Sequence, residues 1–319
     1  MPDMSVILPV YNGACYLEQA LDSIRNQRAG LENIEIIATD DASSDVSPHI
    51  LDAATASLPL TVIPGARRGN WVASTNLALA RASGEYVCFL HQDDRFLPDK
   101  LDALRAAAKC HPDVDVFAHP VRFINAAGRS IGTWTFPTSV GRLRPAEWFP
   151  PLLVQNNLAV PGVMFRRSLL DAVGPLDESL RYTADWDFWL RLAARRDLVL
   201  LRPCLAEYRI HSEAQTVGFA QKQTEYAENL RTVLARHIGT LVTLDGIGDR
   251  KAAAFRSLAA LGVDVNLWLA SRITDKPQPT AVLVRAFRAA GIRNSARYLP
   301  LSRVVARALA RLRANVVPN

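Results

Sequence analysis

Met4-Ser5-Val6-Ile7-Leu8-Pro9-Val10, followed at once by Tyr11-Asn12-Gly13, is the stretch on which the fold of this chain turns. This short apolar run, three of its seven residues β-branched, is predicted as the first strand of a largely parallel sheet. Outward from it, short apolar runs alternate with helical patterns. A helix is predicted from Ala14 to about Arg28, a strand over Ile34 to Ala38, a helix after Ser44, a strand over Leu60 to Ile63, and a helix from Val72 to Ala82. Tyr86 to Leu90 is the next strand, Pro98-Asp99-Lys100 opens a helix through Lys109, and Val114 to Ala118 is a further strand. Such alternation is the signature of βαβ units and gives the fold class α/β, with a mostly parallel central sheet and flanking helices.

The second half is less regular. From Val121 to Pro161 turns, short strands and the aromatics Trp134, Phe136, Trp148 and Phe149 predict a separate sub-region. Met164-Phe165 ends a strand, Arg167 to Val173 reads as a helix stopped by Gly174-Pro175, Thr183 as the cap of a helix to about Arg195, and Leu205 to Ile210 as a strand. Beyond about Gln215 the patterns are helical, with Pro277-Gln278-Pro279 as a linker before the tail.

The chain has 319 residues, 49% hydrophobic and 21% charged, enough to bury a full core and too apolar for a disordered chain. Its 16 Gly and 19 Pro show no period, which excludes collagen-like architecture. No apolar run reaches the roughly 20 residues of a spanning helix, and the start lacks a signal-peptide pattern, so a cytoplasmic location is expected. Four cysteines, Cys15, Cys88, Cys110 and Cys204, without Cys-x-x-Cys spacing, read as reduced thiols. The net charge of +6 is concentrated at one end: after Asp275 there are nine cations and no acid. There Leu301, Val304, Val305, Ala308, Leu309 and Leu312 follow helical spacing, with Arg303, Arg307 and Arg311 on another face. Residues 277–319 are therefore either a basic surface helix docked on the body or a contact for an anionic membrane surface at the inner face of the cytoplasmic membrane. Nucleic acid is not expected, since Tyr298 is the one aromatic of the last thirty residues and no nucleic-acid motif accompanies the charge.

Ligands of open α/β sheets bind outside the carboxyl ends of the strands. The first strand ends in Pro9-Val10-Tyr11-Asn12-Gly13, the second in Thr39-Asp40-Asp41-Ala42-Ser43-Ser44-Asp45, the fourth in His91-Gln92-Asp93-Asp94. Acids behind neighbouring strands repel unless a cation or hydrogen-bond donors lie between them, and a hard divalent ion fits. Helix capping accounts for one or two of Asp40, Asp41 and Asp45, but not for both clusters. Neither Gly-x-x-x-x-Gly-Lys-Ser/Thr nor Gly-x-Gly-x-x-Gly occurs, which argues against a P-loop enzyme or a dinucleotide-dependent oxidoreductase.

Ser5-Val6-Ile7-Leu8-Pro9-Val10-Tyr11-Asn12, Asp40-Asp41-Ala42-Ser43-Ser44-Asp45, Gly84-Glu85-Tyr86 with Phe89-Leu90-His91-Gln92-Asp93-Asp94 and Pro98, and Ala184-Asp185-Trp186-Asp187-Phe188-Trp189-Leu190-Arg191 together resemble the ordered motifs of family 2 inverting glycosyltransferases of the GT-A fold. The resemblance covers about residues 4–215. It implies a GT-A (Rossmann-like) domain over 1–215, with a nucleotide-sugar-binding half at 1–120, an acceptor half at 121–215, and a helical C-terminal extension over 216–319. It further implies a nucleotide pocket with Pro9, Tyr11, Asp41, Gln92 and His91, a Mn2+ or Mg2+ ion on Asp93, and a UDP- or dTDP-linked sugar donor. His91 stands where the family's Asp-x-Asp motif has its first acid, and serves either the donor, the metal or its surroundings. Asp94 ranks behind Asp93, on the premise that the strand continues and aims it elsewhere.

Asp185 matches the catalytic base, with Ala184 in place of the usual Glu; at a helix N-terminus it is also simply a favourable helix acid. Tyr208-Arg209-Ile210-His211 resembles the family's Arg-x-His segment, making Arg209 a candidate diphosphate contact and His211 a candidate metal ligand, against a surface ion pair and a helix-start residue. Arg67 and Arg68 are candidate phosphate contacts. Asp187 and Arg191 are expected to pair at the surface, Trp189 to be core, and Trp186 to face the sugar. The implied activity is transfer of a sugar to a glycan or lipid-linked acceptor in cell-envelope polysaccharide synthesis. The alternatives are a catalytically silent nucleotide-sugar or glycan-binding protein of the same fold, and, further off, a metal-dependent phosphohydrolase.

Overall fold

The computed structural model of the chain describes residues 2–211 and 223–272. Its strands are β1 (Met4–Val10), β2 (Ile34–Asp40), β3 (Leu60–Pro64), β4 (Tyr86–Phe89), β5 (Arg95–Phe96), β6 (Val116–Ala118), β7 (Val121–Ile124), β8 (Ser130–Trp134), β9 (Gly141–Leu143), β10 (Val163–Arg166), β11 (Leu198–Leu200) and β12 (Ala206–Arg209). The helices are α1 (Leu17–Arg25), α2 (Ser47–Thr55), α3 (Trp71–Leu79), α4 (Lys100–Cys110), α5 (Pro145–Val154), α6 (Leu169–Val173), α7 (Ala184–Ala193), α8 (Gln223–His237) and α9 (Asp249–Arg272). The expected linker at Pro277 and the basic tail lie outside the described residues.

An eight-stranded sheet has the order β3-β2-β1-β4-β10-β6-β11-β9. Only β10 and β9 run against the rest, so the sheet is mixed but mostly parallel, as the alternating pattern requires. Every residue of β1 is buried. Ile7 joins the apolar cluster with α3, α5 and α7, whereas Met4, Val6, Leu8 and Val10 join the opposite one with α1, α2 and α4. The period of two along a strand thus serves two cores at once, which is why the sequence of β1 shows no polar alternation.

A second sheet, β5-β12-β7-β8, accounts for part of the irregular stretch after Val121. The region is not wholly separate, because β9 closes the edge of the large sheet against β11. Helix α5 is hidden in the sequence by Pro150 and Pro151, which remove two intrahelical donors. Tertiary burial overrides that cost: Trp148, Phe149, Leu152 and Leu153 are each fully enclosed, and the Glu147 carboxylate accepts from the Arg144 N–H at 2.9 Å to start the helix.

Where the two sheets meet, Lys100 is completely buried. Its ammonium donates to His119 Nε2 and to the Pro161 carbonyl, each at 2.7 Å, and His119 Nδ1 lies 2.9 Å from the Pro120 carbonyl. Burial lowers the Lys100 amine to about 8, against the raising influence of the Cys88 and Cys204 thiols. Burial also drives the His119 imidazole well below its ordinary range, helped by the Lys100 charge, so the pair carries one proton on the lysine and a neutral ring.

Because the folded amine releases its proton at about pH 8 and the unfolded one near 10.5, the unfolded chain binds more protons between those values, and stability rises with pH across that window. Urea titrations from about pH 7.5 to 10.5 are expected to show the wild type gaining stability relative to Lys100→Met, by at most about 3 kcal/mol. A difference that stays flat or shrinks over that range contradicts the assignment.

Candidate active site

Pairing between β1 and β4 stops at Ile7 with Phe89, while β1 continues beside β2 to Val10 with Asp40. Leu90 N–H donates to the Ile7 carbonyl at 3.0 Å, so the backbone groups of alternate residues of β1 face β4. Pro9, with no N–H, falls two residues further on, where β4 has already ended, and a central strand can therefore hold a proline. Past it the chain is closed by Gln92, whose Oε1 accepts from the Tyr11 N–H at 2.7 Å and whose Nε2 donates to the Tyr11 carbonyl at 3.0 Å. Gln92, expected in the nucleotide pocket, acts here on the backbone of the neighbouring pocket residue. Gly13 is needed beside it, since a Cβ there would lie 2.5 Å from Gln92 Oε1.

Tyr11 is exposed, and the Arg67 guanidinium sits 3.5 Å from its ring centroid. Arg67 also pairs with Asp41, which is buried and accepts from the Arg68 N–H at 2.6 Å and the Gly69 N–H at 2.8 Å. Asp41 thus ties the loop after β3 to the end of β2. Asp40 has a local duty, accepting from Ser43, whereas Asp45 accepts from the nearby Ser47 N–H at 2.9 Å and from the N–H of Ala14, 31 residues away, at 3.0 Å.

After β4 the chain turns instead of continuing extended, with the Asp94 N–H donating to the His91 carbonyl at 3.0 Å. The turn brings His91, Asp93 and Asp94 together, with one ligand atom from each within 4.8 Å of the others. The ranking of Asp94 behind Asp93 assumes a continuing strand, and the turn removes that premise. An imidazole with two carboxylates is a donor set that suits Mn2+ and, through the oxygens, Mg2+. Asp93 Oδ2 lies 3.0 Å from His211 Nε2, and the His211 ring packs on Tyr16 with centroids 4.9 Å apart. Burial pushes the Tyr16 phenol up, with Cys15 adding to the shift.

Arg209 is enclosed. It is 1% exposed and its guanidinium donates to the Asp93 carbonyl at 2.9 Å, the Asn125 and Ala126 carbonyls at 3.2 and 3.0 Å, and Gln19 Oε1 at 2.8 Å. Its own backbone N–H donates to Asp94 Oδ1 at 2.9 Å. The residue expected against a diphosphate is a buried brace that shapes the acidic turn, because four carbonyl-type acceptors compensate the desolvated charge.

Asp185 stands in the first turn of α7 and is 4% exposed. Asn156 Nδ2 donates to its Oδ2 at 2.9 Å. Residue 156 leads toward β10, which runs antiparallel to β4, so the segment before Val163 lies beyond the carboxyl end of β4. His91 reaches the same region by another route: its ring is 5.2 Å from that of Trp71, whose Nε1 donates to the Arg181 carbonyl at 2.8 Å, just ahead of α7. The acid turn and the first turn of α7 therefore sit on one edge of the sheet. Trp186 turns away from it, buried and donating to the Leu152 carbonyl at 2.7 Å, so it is core like Trp189. The Asp187–Arg191 pair forms at 2.8 Å, but in the interior, with Asp187 2% exposed. Asn156 and Trp71 escape a reading of the sequence; the polar Gln155-Asn156-Asn157 run amid apolar residues is a signal for Asn156, and none marks Trp71.

A family model described as "Glycosyl transferase family 2" matches residues 5–174. The chain belongs to this family. Among its relatives, an uncharacterized glycosyltransferase of Rickettsia typhi is 28% identical over 244 residues, covering 72% of this chain and 70% of that protein. The family 2 chain also superposes on TarS of S. aureus with a TM-score of 0.63 at 18% identity, covering 93% of this chain and 54% of TarS. It thus spans about half of TarS, while TarS 1–349 in complex with UDP-GlcNAc is matched over 99% of this chain and 92% of that one, with a TM-score of 0.58. The mannosyltransferase PcManGT of Pyrobaculum calidifontis, in complex with GDP-Man and Mn2+, gives a TM-score of 0.56 at 18% identity over 99% of this chain and 87% of its own. At such identities the structural likeness speaks for the GT-A fold.

Replacing Asp41 by Ala is expected to release the 67–69 loop. Amide hydrogen exchange at Arg68 and Gly69 should quicken at least about tenfold, while the amides of β1 keep their protection. Unchanged exchange at both loop amides contradicts this role for Asp41.

Proposed function

We propose that this family 2 member is a metal-dependent inverting glycosyltransferase that moves a sugar from a UDP- or dTDP-linked donor to a glycan or lipid-linked acceptor in cell-envelope polysaccharide synthesis. The observation that carries the reading is an acidic turn suited to a divalent ion and a separate buried carboxylate at a helix start, linked by the packing of His91 on Trp71 and the hydrogen bond of Trp71 to the Arg181 carbonyl just ahead of that helix. The donor complexes of TarS and PcManGT, and the Mn2+ of the latter, are in keeping with it.

In this reading Pro9, Tyr11 and Asp41 line the base side of the donor, and the Arg67 guanidinium over Tyr11 moves when a base stacks there. His91, Asp93 and Asp94, with His211 behind Asp93, would hold Mn2+ or Mg2+, which when bound supplies positive charge to the leaving diphosphate. Asp185 takes the proton of the acceptor hydroxyl as that oxygen forms its bond to the anomeric carbon. The bond from that carbon to the diphosphate oxygen breaks on the opposite face, and no covalent sugar-enzyme intermediate is needed. Asn156 holds Asp185 Oδ2 and thereby orients the base. Residues 121–161 bear on the acceptor.

The test uses purified protein, Mn2+ and a panel of sugar nucleotides, with thermal shift to find the donor and release of nucleoside diphosphate to follow turnover. Asp185→Asn should lower kcat at least about a hundredfold while donor affinity stays within about threefold. Asp93→Ala should weaken both Mn2+ and donor binding. Turnover that survives in both variants overturns the proposal; donor binding without transfer to any acceptor favours the silent binding protein, a reading that His91 and Ala184, at positions of family acids, keep in view.

We further infer from the charge of 277–319 that the chain works as a peripheral protein at the inner face of the cytoplasmic membrane. Vesicles with anionic lipid should sediment the full chain at low salt and not at high salt, and removal of 277–319 should abolish the effect. Equal sedimentation by the shortened chain contradicts it.

A further inference from the structure

The helix that carries Asp185 starts without a side-chain cap. Thr183, the residue before α7, makes no side-chain hydrogen bond to the first turn, and its hydroxyl is buried without a partner among the described residues. The first N–H groups of any helix have no intrahelical acceptor, and here no side chain of the preceding residue supplies one. A base must be held to within a fraction of an ångström of the attacking oxygen, so an uncapped first turn is a poor mount unless something else grips it.

Helix α8 does so at two points that bracket Asp185. Three residues before the acid, the Tyr182 N–H donates to Asn229 Oδ1 at 3.1 Å, and Asn229 is buried. Two residues after it, Asp187 Oδ1 lies 2.9 Å from Nε2 of His237, the last residue of α8, which is also buried. Asp187 Oδ2 accepts from Arg191 Nε at 2.8 Å, and Arg236 approaches the same carboxylate at 3.5 Å. Burial raises the Asp187 carboxyl, but the His237 hydrogen bond and the Arg191 charge outweigh it and hold the group below the ordinary carboxylate range. Asn229 and His237 lie about two turns apart on α8, on the face that meets α7, and the His237 ring also packs edge-on against Phe149 of α5. All of α8 lies beyond residues 5–174, the part that matches the family model.

We propose that Asn229 and His237 are positioning residues for the reaction: α8, from outside the matched part of the chain, clamps the first turn of α7 so that Asp185 meets the acceptor hydroxyl. The inference rests on Asp185 being the base. It assigns the C-terminal helical region a part in turnover distinct from donor binding, since the grip of Asn229 and His237 falls on Tyr182 and Asp187 and not on the Tyr11–Asp41 pocket or the acid turn.

Asn229→Ala, His237→Ala and the conservative His237→Gln, whose amide can donate to Asp187 in place of the ring, separate this role from general support. In the full chain with its donor and Mn2+, Asn229→Ala and His237→Ala are each expected to lower kcat about tenfold with donor KM changed by less than about twofold, and His237→Gln to recover most of the loss. A kcat within about twofold of wild type in both alanine variants overturns the proposal, as does a fall in kcat matched by an equal rise in donor KM. Should His237→Ala fail to fold, Asn229→Ala decides by the same criteria, because it leaves every charge in place. Asp185→Asn, run beside them, tells the two ideas apart. If it abolishes turnover while the α8 variants do not lower it, the clamp is wrong and the base stands; if it retains turnover, the base assignment fails and the clamp falls with it.

Discussion

Two neighbouring strands of unequal reach create the site. β4 stops pairing with β1 at Phe89, and β1 runs on for three more residues beside β2 alone. A gap in a parallel sheet leaves backbone groups without partners, and the chain must satisfy them by other means. Here Pro9 removes one donor outright and the Gln92 amide satisfies a donor and an acceptor of Tyr11 at once. The turn that delivers Gln92 also delivers His91, Asp93 and Asp94, so the repair of the sheet and the assembly of the acid turn are one structural event.

Four acids near this edge, Asp41, Asp93, Asp185 and Asp187, each have a compensating donor drawn from a different element. Asp41 is served by the loop after β3, Asp93 by His211 beyond β12, Asp185 by Asn156 before β10, and Asp187 by Arg191 on its own helix and His237 on α8. Taking a carboxylate out of water costs several kcal/mol unless hydrogen bonds and charge replace its hydration. The acids consequently act as tie points: each draws in the segment that supplies its donors. Arg209 shows the same behaviour with the opposite charge, a buried guanidinium surrounded by carbonyl and amide oxygens under the acid turn.

The first half of the fold is legible because its periodicity is local. β1, β2, β3, β4 and α1 to α4 fall where apolar runs and helical spacing put them, with ends shifted by a few residues where turns such as Gly13–Tyr16 intervene. Helix α5 is poorly legible: two interior prolines argue against a helix on local grounds, and the burial of Trp148, Phe149, Leu152 and Leu153 overrides them. Trp186 misleads for a related reason, since its place beside Asp185 in the sequence says nothing about the direction in which the helix turns it.

From the amino-acid order alone follow the α/β class, the acids at the strand ends and the family to which the motifs point, because burial period and turn chemistry are written residue by residue. Tertiary structure alone decided that Asp94 joins His91 and Asp93, that Arg209 braces the turn from beneath, that Asn156 meets Asp185 and that His237 meets Asp187. Those encounters join residues remote along the chain, and they depend on how whole helices and sheets pack, a property to which no local window of sequence gives access.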